Sequence, residues 1–504
     1  MKKLIVLLAL LCAAMLLLCS CTPADTGNTT GNATGDPVVD EGPKDYTGTF
    51  RVGYGRVDIT PELGIGLAGM GDDATRRANN VESRLYMTCI AVTDENENTV
   101  LLMTSDSIRT ETWVCDTMRN NIARELNVPR THIFSSTTHT HNAPDTIAAG
   151  YTQLYIDAGL EACRLAMEER KPAEIYVGNN ETQGLAFVRH YVMSDGSIIG
   201  DNYGTDAGKT YVGHETEIDA QVQLIKFARE DDKDIVLMNF RGHPIISGNG
   251  DHTYLSISAG YVDDCRKTME KTLGCYFAYF QGASGNVNDQ SRITSENNFR
   301  FDYLDHGKKL AEYALEVMDE LKKVNTGAVE VKTINYTGNV RQDSEEYIQA
   351  ATLFNNAYKT GKSYAEAIKA SGNKCFSHVA LSDIKMRQNQ GKTMTLEMAA
   401  VSIGDVAFIS TPWEMFDNTG KNIKDGSPFE QTFVMYLTNG RGKYLPSEPA
   451  YSNGCYEKEL SYFGKGAAAE IEGLYIDMLK ELHKDGITDP AITEFKSQLP
   501  ADQG

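Results

Sequence analysis

The sequence contains no CxxC pair, although it has 10 cysteines. Three lie in the first 21 residues, and the other seven are scattered singly, at Cys89, Cys115, Cys163, Cys265, Cys275, Cys375 and Cys455. An odd number without paired spacing argues against a thiolate metal site and against a scaffold built on disulfides. We therefore expect most of these side chains to act as small buried hydrophobes.

Positive charge is also scarce. Lys and Arg number 48 against 69 Asp and Glu, which gives a formal net charge of −21. Such an acidic composition disfavours binding of nucleic acid or of an anionic membrane through a basic surface. We expect no nucleic-acid partner.

The first residues, MKKLIVLLALLCAAMLLLCSC, carry two lysines and then an apolar run too short for a stable membrane span. This pattern predicts an export signal over residues 1–21. Its end, from Leu18 to Cys21, resembles a bacterial lipobox, so we expect a lipoprotein held to the cell envelope by lipid on Cys21. An ordinary secretory signal with incidental cysteines is the alternative.

Residues 22–47 have almost no large apolar side chains and are rich in Thr, Gly, Asn, Asp and Pro. Such a composition cannot bury a core and predicts a flexible tether. The sequence shows no internal repeat and no second linker of this kind. We therefore predict one large catalytic domain over residues 48–499.

Beyond the tether, apolar strand-like runs alternate with helical patterns, which predicts an α/β fold with a mixed β-sheet core flanked by helices. Strands are expected at residues 85–93, 99–106, 132–136, 173–178, 234–243 and 275–282. Helices are expected at residues 111–126, 154–169, 301–323 and 466–486. Residues 396–412 predict a hairpin around Gly404 and Asp405. Helical patterns at residues 344–360 and 363–390 are typical of a side insertion.

Several predicted strands end in residues that do chemistry. His139 and His141 follow one strand, His243 follows another, and Glu414 follows the second arm of the hairpin. Ligands of α/β proteins bind in the crevice beyond the strand ends. Two histidines and a carboxylate suit a catalytic Zn²⁺ that keeps one position open for water, which indicates a metallohydrolase. The His-Thr-His triplet alone is weak support, because such pairs also occur in hydrogen-bonded turns, and His243 alone could be a core histidine.

Whole segments of the sequence resemble, in order, the neutral/alkaline ceramidase family in a compact bacterial form. They include VGYGRVDITPELGIGLAGMGD, SSTTHTHNAP, NFRGHPIISG, FQGASGNVND, VSIGDVAFISTPWEMF and YLPSEPAYSNGCYE. The resembling segments span residues 51–457, nearly the whole mature chain. The resemblance implies a zinc-dependent hydrolase of N-acyl amides, with ceramide as the first candidate substrate and another N-acylated lipid or small amide as the second.

The resemblance also implies a set of site residues. A single zinc would be held by His139, His243, Glu414 and Tyr444, although Tyr444 could instead be a hydrogen-bonded core phenol. His141 would lie beside the metal and contact the reacting amide, on the same face as His139 if the segment stays extended.

Three residues would then act on the substrate. His141 suits a general acid or base, and its alternative is to orient the metal ligands. Arg189 and Tyr456 match positions that line the substrate site, where they suit a polar headgroup and a developing oxyanion. Each of these two could instead be a surface or packing residue.

The sequence departs from the longer family members at three places. Asn288 and Asp289 stand where those members have a Ser-Pro pair, and Trp413 replaces a glycine before Glu414. After Tyr456 we expect one more helix and no C-terminal β-sandwich of the kind that the longer members have. We expect the bulk of Trp413 to reshape the pocket entrance.

The same departures keep a rival open, namely a catalytically inactive, lipid-anchored binding protein of the same fold. A solute-binding lipoprotein is disfavoured, because such a protein needs no convergent His, His and Glu.

Overall fold

Apolar runs along the chain form the strands of a large mixed sheet. The computed structural model describes residues 48–70, 76–201, 208–244, 252–293, 296 and 303–483. The predicted export signal and tether, residues 1–47, lie outside these ranges. The strands of the large sheet are β1 (Arg51–Asp58), β2 (Tyr86–Thr93), β3 (Thr99–Ser105), β4 (Ile133–Thr137), β5 (Lys171–Glu181), β6 (Gln221–Arg229), β7 (Ile235–Phe240), β8 (Tyr276–Gln281) and β9 (Lys322–Val324).

The large sheet curls until its two ends meet. Its strand order is β8-β7-β6-β5-β1-β2-β3-β4, with β9 alongside β5. The pairs β3–β4 and β7–β8 are parallel and the other pairs are antiparallel. Strands β4 and β8 stand at opposite ends of this order and contact each other. The carboxyl ends of β4, β7 and β8 therefore approach one place.

A second, smaller sheet consists of β10 (Val329–Asn339), β11 (Thr393–Ile403), β12 (Val406–Ser410) and β13 (Gln431–Met435). Strands β11 and β12 form the predicted hairpin, in which Gly404 adopts a left-handed φ of 57°. A Cβ at Gly404 would lie 1.9 Å from the backbone oxygen of Asn325, so the turn requires glycine there. Strands β12 and β13 are parallel, which sends their carboxyl ends in the same direction.

Eleven helices are described. They are α1 (Thr112–Leu126), α2 (Thr152–Glu168), α3 (Tyr261–Leu273), α4 (Tyr303–Leu315), α5 (Glu345–Lys359), α6 (Tyr364–Ala370), α7 (Ala380–Gln390), α8 (Asp417–Asp425), α9 (Glu448–Asn453), α10 (Tyr456–Leu460) and α11 (Ala467–Leu482). The helix expected at residues 301–323 is shorter than predicted. It ends at Leu315, because β9 leaves the helical path and pairs with β5.

The two sheets pack face to face and helices cover their outer faces. One apolar core, which includes Val52, Phe227, Phe408 and Phe433, fills the space between the sheets. Helices α1 to α4 cover the large sheet, and α11 packs on the small one. Because both faces of each sheet are covered, strands such as β3 are fully buried and read as continuous apolar runs. The α/β class with flanking helices is confirmed, with two stacked sheets at its centre.

Helices α5, α6 and α7 form a lobe with its own small core, which includes Ala350, Phe354, Ala367 and Ile384.

All seven cysteines expected to be buried hydrophobes are free and buried. The described residues belong to one compact unit. None of their helices is long and apolar enough to cross a membrane.

Candidate metal centre

The carboxyl ends of four strands supply the side chains of the candidate site. His139 follows β4, His243 follows β7, Glu414 follows β12 and Tyr436 follows β13. A backbone hydrogen bond joins the two sheets at this edge, since the amide of Tyr436 donates to the carbonyl of Gln281 at 3.0 Å. The curl of the large sheet and the parallel ends of β12 and β13 thus bring distant parts of the sequence together.

His139 departs from the extended conformation that the sequence suggested. Strand β4 ends at Thr137, and His139 has a left-handed φ of 64°. Its backbone amide donates to the carbonyl of Ser107 at 2.9 Å. A non-glycine residue in this region carries strain and is held by its surroundings. His139 and His141 therefore approach each other through a turn, so the condition for a shared extended face, a segment that stays extended, is not met.

Each of three histidines turns its Nδ1 toward a backbone carbonyl. The distances are 2.6 Å from His139 to Ile108, 3.1 Å from His141 to Gly69 and 3.3 Å from His243 to Ser284. A carbonyl oxygen only accepts, so Nδ1 carries the proton in each ring. The Nε2 atoms of the neutral rings are left with free lone pairs, which is the arrangement of metal-binding imidazoles.

These three Nε2 atoms face one another and form what we call the histidine cluster: His139, His141 and His243. The Nε2 of His141 lies 3.0 Å from that of His243 and 3.4 Å from that of His139. Nitrogen ligands about 2.0–2.1 Å from a tetrahedral zinc would be separated by about 3.3 Å. Three acceptors with no proton between them are suited to a shared cation, and their spacing fits a zinc ion, so the cluster is a candidate metal site.

Burial keeps the histidine cluster neutral. It lowers the pKa of His139, and the nearby Glu414 carboxylate opposes this effect without reversing it. Desolvation also holds the pKa of His141 well below its usual value, helped by its proximity to the His139 imidazole and the Arg76 cation. Burial and the two neighbouring imidazoles do the same for His243. Neutral imidazole is the form that binds a metal, so the site is preorganised for one.

Glu414 adds a carboxylate beside the cluster. Its Oε2 lies 3.8 Å from Nε2 of His139 and accepts a long hydrogen bond, 3.5 Å, from the hydroxyl of Tyr436. The backbone of Glu414 pairs with that of Tyr444, because two short strands, Glu414–Met415 and Tyr444–Leu445, run parallel here. The structure thus brings together His139, His141, His243 and Glu414.

Tyr444 is buried next to Glu414, and its hydroxyl accepts a hydrogen bond from Nη2 of Arg189 at 3.4 Å. Burial, followed by the Glu414 carboxylate, raises the pKa of this phenol well above its usual value. Its hydrogen bond fits the core-phenol alternative as well as a ligand role, so Tyr444 as a ligand stays a prediction.

Arg189 is buried, and its donors are used inside the protein. Its Nε donates to Glu457 at 2.7 Å, Nη2 donates to the carbonyl of Gly285 at 2.9 Å, and Nη1 lies 3.5 Å from Oδ1 of Asn288. This arrangement leaves little of the guanidinium for a substrate headgroup. These contacts favour a role in which Arg189 orients neighbouring protein groups and does not itself bind the substrate.

Tyr456 packs its ring 6.0 Å from the ring of Tyr444. Burial raises the pKa of its phenol, which therefore stays protonated at neutral pH. Among the described residues, no hydrogen-bond partner is found for its hydroxyl. This hydroxyl is available as a donor, in keeping with its predicted place beside the substrate.

The side chain of Trp413 points away from the site. Trp413 is fully buried in the core behind the small sheet, beside Tyr336 and Phe463, so the expectation that it reshapes the pocket entrance was wrong.

Of the two residues that replace the Ser-Pro pair, Asn288 has a structural role. It contacts Arg189 and donates to Asp201. Asp289 is partly exposed, and desolvation of its carboxyl group raises its pKa to about 6.

Sequence reasoning missed Tyr436 and the partners of Arg189. Tyr436 packs against His139 with ring centroids 5.4 Å apart. Its place at the end of the apolar run QTFVMY could have revealed it, because that run is another strand that ends in a polar group. Glu457, His190 and Glu215 have no such signal, since their contacts depend on the tertiary fold.

Comparison with family models gives no match, and comparison with curated proteins gives none either. Among solved structures, the chain is similar to the neutral ceramidase from Pseudomonas aeruginosa, with a TM-score of 0.64 and 15% identity over 86% of this chain and 74% of that chain. It is also similar to a ceramidase complexed with C2, with a TM-score of 0.65 and 14% identity over 86% of this chain and 75% of that one. The chain thus has the fold of the neutral ceramidases, and the resemblance seen in its sequence segments is confirmed at the level of the fold.

Proposed function

We propose that this protein is a zinc-dependent hydrolase that cleaves the amide bond of an N-acyl lipid, with N-acylsphingosine as the first substrate to test and other N-acyl amides next. The observation that carries the proposal is the convergence of three unprotonated Nε2 atoms beside Glu414. The fold shared with solved ceramidases supports the choice of an amide substrate.

His139, His243 and Glu414 would hold the zinc, with Tyr444 as the predicted fourth ligand. His139 and His243 are 3% and 1% exposed, whereas His141 is only partly buried and therefore faces the open side of the site. A zinc ion bound there would lower the pKa of water to about 7 and polarise a carbonyl group.

His141 is the group that handles protons. Its Nε2 is free of a proton because Nδ1 donates to Gly69. It takes a proton from the attacking water and returns it to the leaving amine, so that the amide and water become a carboxylic acid and an amine. The hydroxyl of Tyr456 donates to the carbonyl oxygen of the amide as negative charge develops there.

The proposal is tested with the full chain, N-acylsphingosines of several acyl lengths and a small soluble N-acyl amide. We expect release of the amine from the lipid substrates, and loss of zinc and activity in His139→Ala and Glu414→Ala. His141→Ala should keep zinc and lose turnover. His378→Ala is the matched control, because this histidine lies in the α5–α7 lobe against Tyr358 and Tyr364. Full zinc content and activity in His139→Ala would contradict the proposal.

We further propose that the chain is exported and anchored to the cell envelope through lipid on Cys21. The composition of residues 1–47 supports this location. Labelled fatty acid should enter the wild-type protein and Cys19→Ser, and should not enter Cys21→Ser. Equal labelling of Cys21→Ser and wild type would contradict the anchor.

A further inference from the structure

Behind Tyr444, four buried side chains of alternating charge form what we call the charge chain: Arg189, Glu457, His190 and Glu215. Arg189 donates to Oε1 of Glu457 at 2.7 Å, and Nε2 of His190 lies 3.0 Å from Oε2 of the same carboxylate. Nδ1 of His190 lies 2.8 Å from Oε2 of Glu215. Arg189, His190 and Glu457 are almost completely buried, and only Glu215 has some contact with solvent.

His190 is an imidazolium in this arrangement. Each of its ring nitrogens faces a carboxylate oxygen, and an ionised carboxylate only accepts hydrogen bonds. Both nitrogens must therefore carry protons. The charge chain then contains two cations and two anions, so its buried charges are balanced.

A metal ion does not fit here, although His190, Glu457 and the nearby Cys455 are metal-type donors within reach of one another. The carboxylate of Glu457 already has Arg189 and His190 as cationic partners. The Sγ of Cys455 accepts a hydrogen bond from the amide of Lys458 at 3.3 Å, and burial raises the pKa of its thiol. The donors are therefore used in hydrogen bonds.

Glu457 fixes the direction of the Arg189 guanidinium. The carboxylate of Glu457 holds one edge of this planar group, and the carbonyl of Gly285 accepts from Nη2 at 2.9 Å. With those contacts made, Nη2 also reaches the hydroxyl of Tyr444 at 3.4 Å, and the guanidinium carbon lies 5.8 Å from the centroid of the Tyr444 ring. Arg189 thus contacts both the hydroxyl and the ring of Tyr444, the residue whose backbone pairs with that of Glu414.

We propose that Glu457 is a positioning residue for the metal centre: it aims Arg189 at Tyr444, and His190 and Glu215 hold Glu457 in turn. This inference rests on the proposed function, because it treats Tyr444 as part of the zinc site. Groups that orient metal ligands typically change metal affinity or activity by about 10–100-fold when they are altered.

The experiment compares Glu457→Gln, Glu457→Asp and Glu215→Gln with wild type in the full chain. Zinc affinity is measured by competition with a chelator, and kcat and KM are measured with N-acylsphingosine. For Glu457→Gln we expect zinc affinity and kcat to fall by about tenfold with little change in KM. Glu457→Asp keeps the charge and should recover part of the loss, and Glu215→Gln should give a smaller change in the same direction.

Asp343→Asn is the matched control. Asp343 is another buried carboxylate paired with arginines, since it accepts from Arg387 at 2.8 Å and from Arg341 at 2.8 Å, and it contacts no residue of the site. This variant should lose stability and keep the zinc affinity of the folded protein. A purely structural role for Glu457 would give the same pattern as Asp343→Asn.

Unchanged zinc affinity and kcat in Glu457→Gln, with an active wild type, would overturn the positioning role and leave the proposed function standing. A wild-type protein that neither binds zinc nor releases amine would overturn both. If Glu457→Gln does not fold, Glu215→Gln decides: the positioning role predicts weaker zinc binding in that variant, and wild-type zinc binding overturns it.

Discussion

The histidine cluster and the charge chain are built from similar side chains, yet they hold protons in opposite ways. In the histidine cluster, nitrogen faces nitrogen at 3.0 and 3.4 Å with no proton between the rings. In the charge chain, the nitrogens of His190 face carboxylate oxygens at 2.8 and 3.0 Å, and both are protonated. The histidine cluster is one group of three metal-type donors, and His190 and Glu457 of the charge chain form another with Cys455, among the described residues. The difference indicates that the positions of the protons, more than the types of donor, decide which group is suited to bind a cation.

The largest expected effect comes from breaking the histidine cluster. His243→Ala should remove bound zinc and lower amide hydrolysis by at least about a hundredfold, since even groups that only orient ligands are worth about 10–100-fold. Without metal, this variant should be about as stable as wild type. The substitution removes a nitrogen whose lone pair faces the unprotonated nitrogens of the other two rings, and this relief offsets the lost packing. Zinc analysis and thermal unfolding measure the two parts. Normal zinc content in His243→Ala would contradict the account.

The matching change in the charge chain should lower the stability of the fold more than it lowers the number of zinc ions bound per chain. His190→Ala leaves the Glu457 and Glu215 carboxylates without a shared cation, and breaking a buried pair costs about 3–5 kcal/mol. Zinc should still bind at one ion per chain. Urea unfolding with and without zinc tests this contrast, and loss of zinc stoichiometry in a folded His190→Ala would erase it.

The two regions should also respond to pH in opposite directions. The partner carboxylates raise the pKa of His190 from 6.5 to about 9 in spite of its burial, so its contribution to stability is complete below pH 6.5 and is lost as the pH rises through about 9. The pKa of His243 is lowered by burial, so the folded metal-free protein resists its protonation and loses stability as the pH falls below 6.5.

This contrast is measured as the difference in unfolding free energy between wild type and each variant in the metal-free protein. For His190→Gln, the stability advantage of wild type over the variant should shrink above neutral pH, because His190 loses its proton there. The expected change is on the order of 3 kcal/mol of unfolding free energy. For His243→Ala the variant should gain relative to wild type below pH 6.5, the ordinary pKa of histidine. Parallel curves for the two variants would contradict the assignment of protons.

The smallest effect is expected from Trp413→Phe. Trp413 precedes Glu414 in the chain but packs in the core behind the small sheet, with Tyr336 and Phe463. Loss of part of a packed ring should cost about 1–2 kcal/mol of stability and leave KM unchanged. A changed KM with unchanged stability would place Trp413 at the substrate and break the separation of core from site.

Much of the fold could be read from local patterns. Strands β2, β3, β7 and β8 are buried on both faces and appear as apolar runs, and Gly404 marks the hairpin turn. The packing of two sheets against each other could not be read, because residues of both sheets interleave in one core. The helix that ends at Leu315 was overestimated because strand pairing by β9 overrides a helical pattern.

The site was also predictable only where a local sequence pattern marks it. His139, His243 and Glu414 follow strand ends, and the structure brings them together. The left-handed turn at His139 and the contact of Tyr436 with Glu414 depend on tertiary packing. The partner of Arg189 lies 268 residues away in the chain, so no local pattern could indicate it.

The most direct test of the account is the zinc content per chain of the full-length protein, purified in detergent without chelator or affinity histidines, for wild type, His139→Ala and His378→Ala. We predict about one zinc per chain for wild type and His378→Ala and almost none for His139→Ala. Wild-type protein that holds no zinc and takes up none on titration would contradict it.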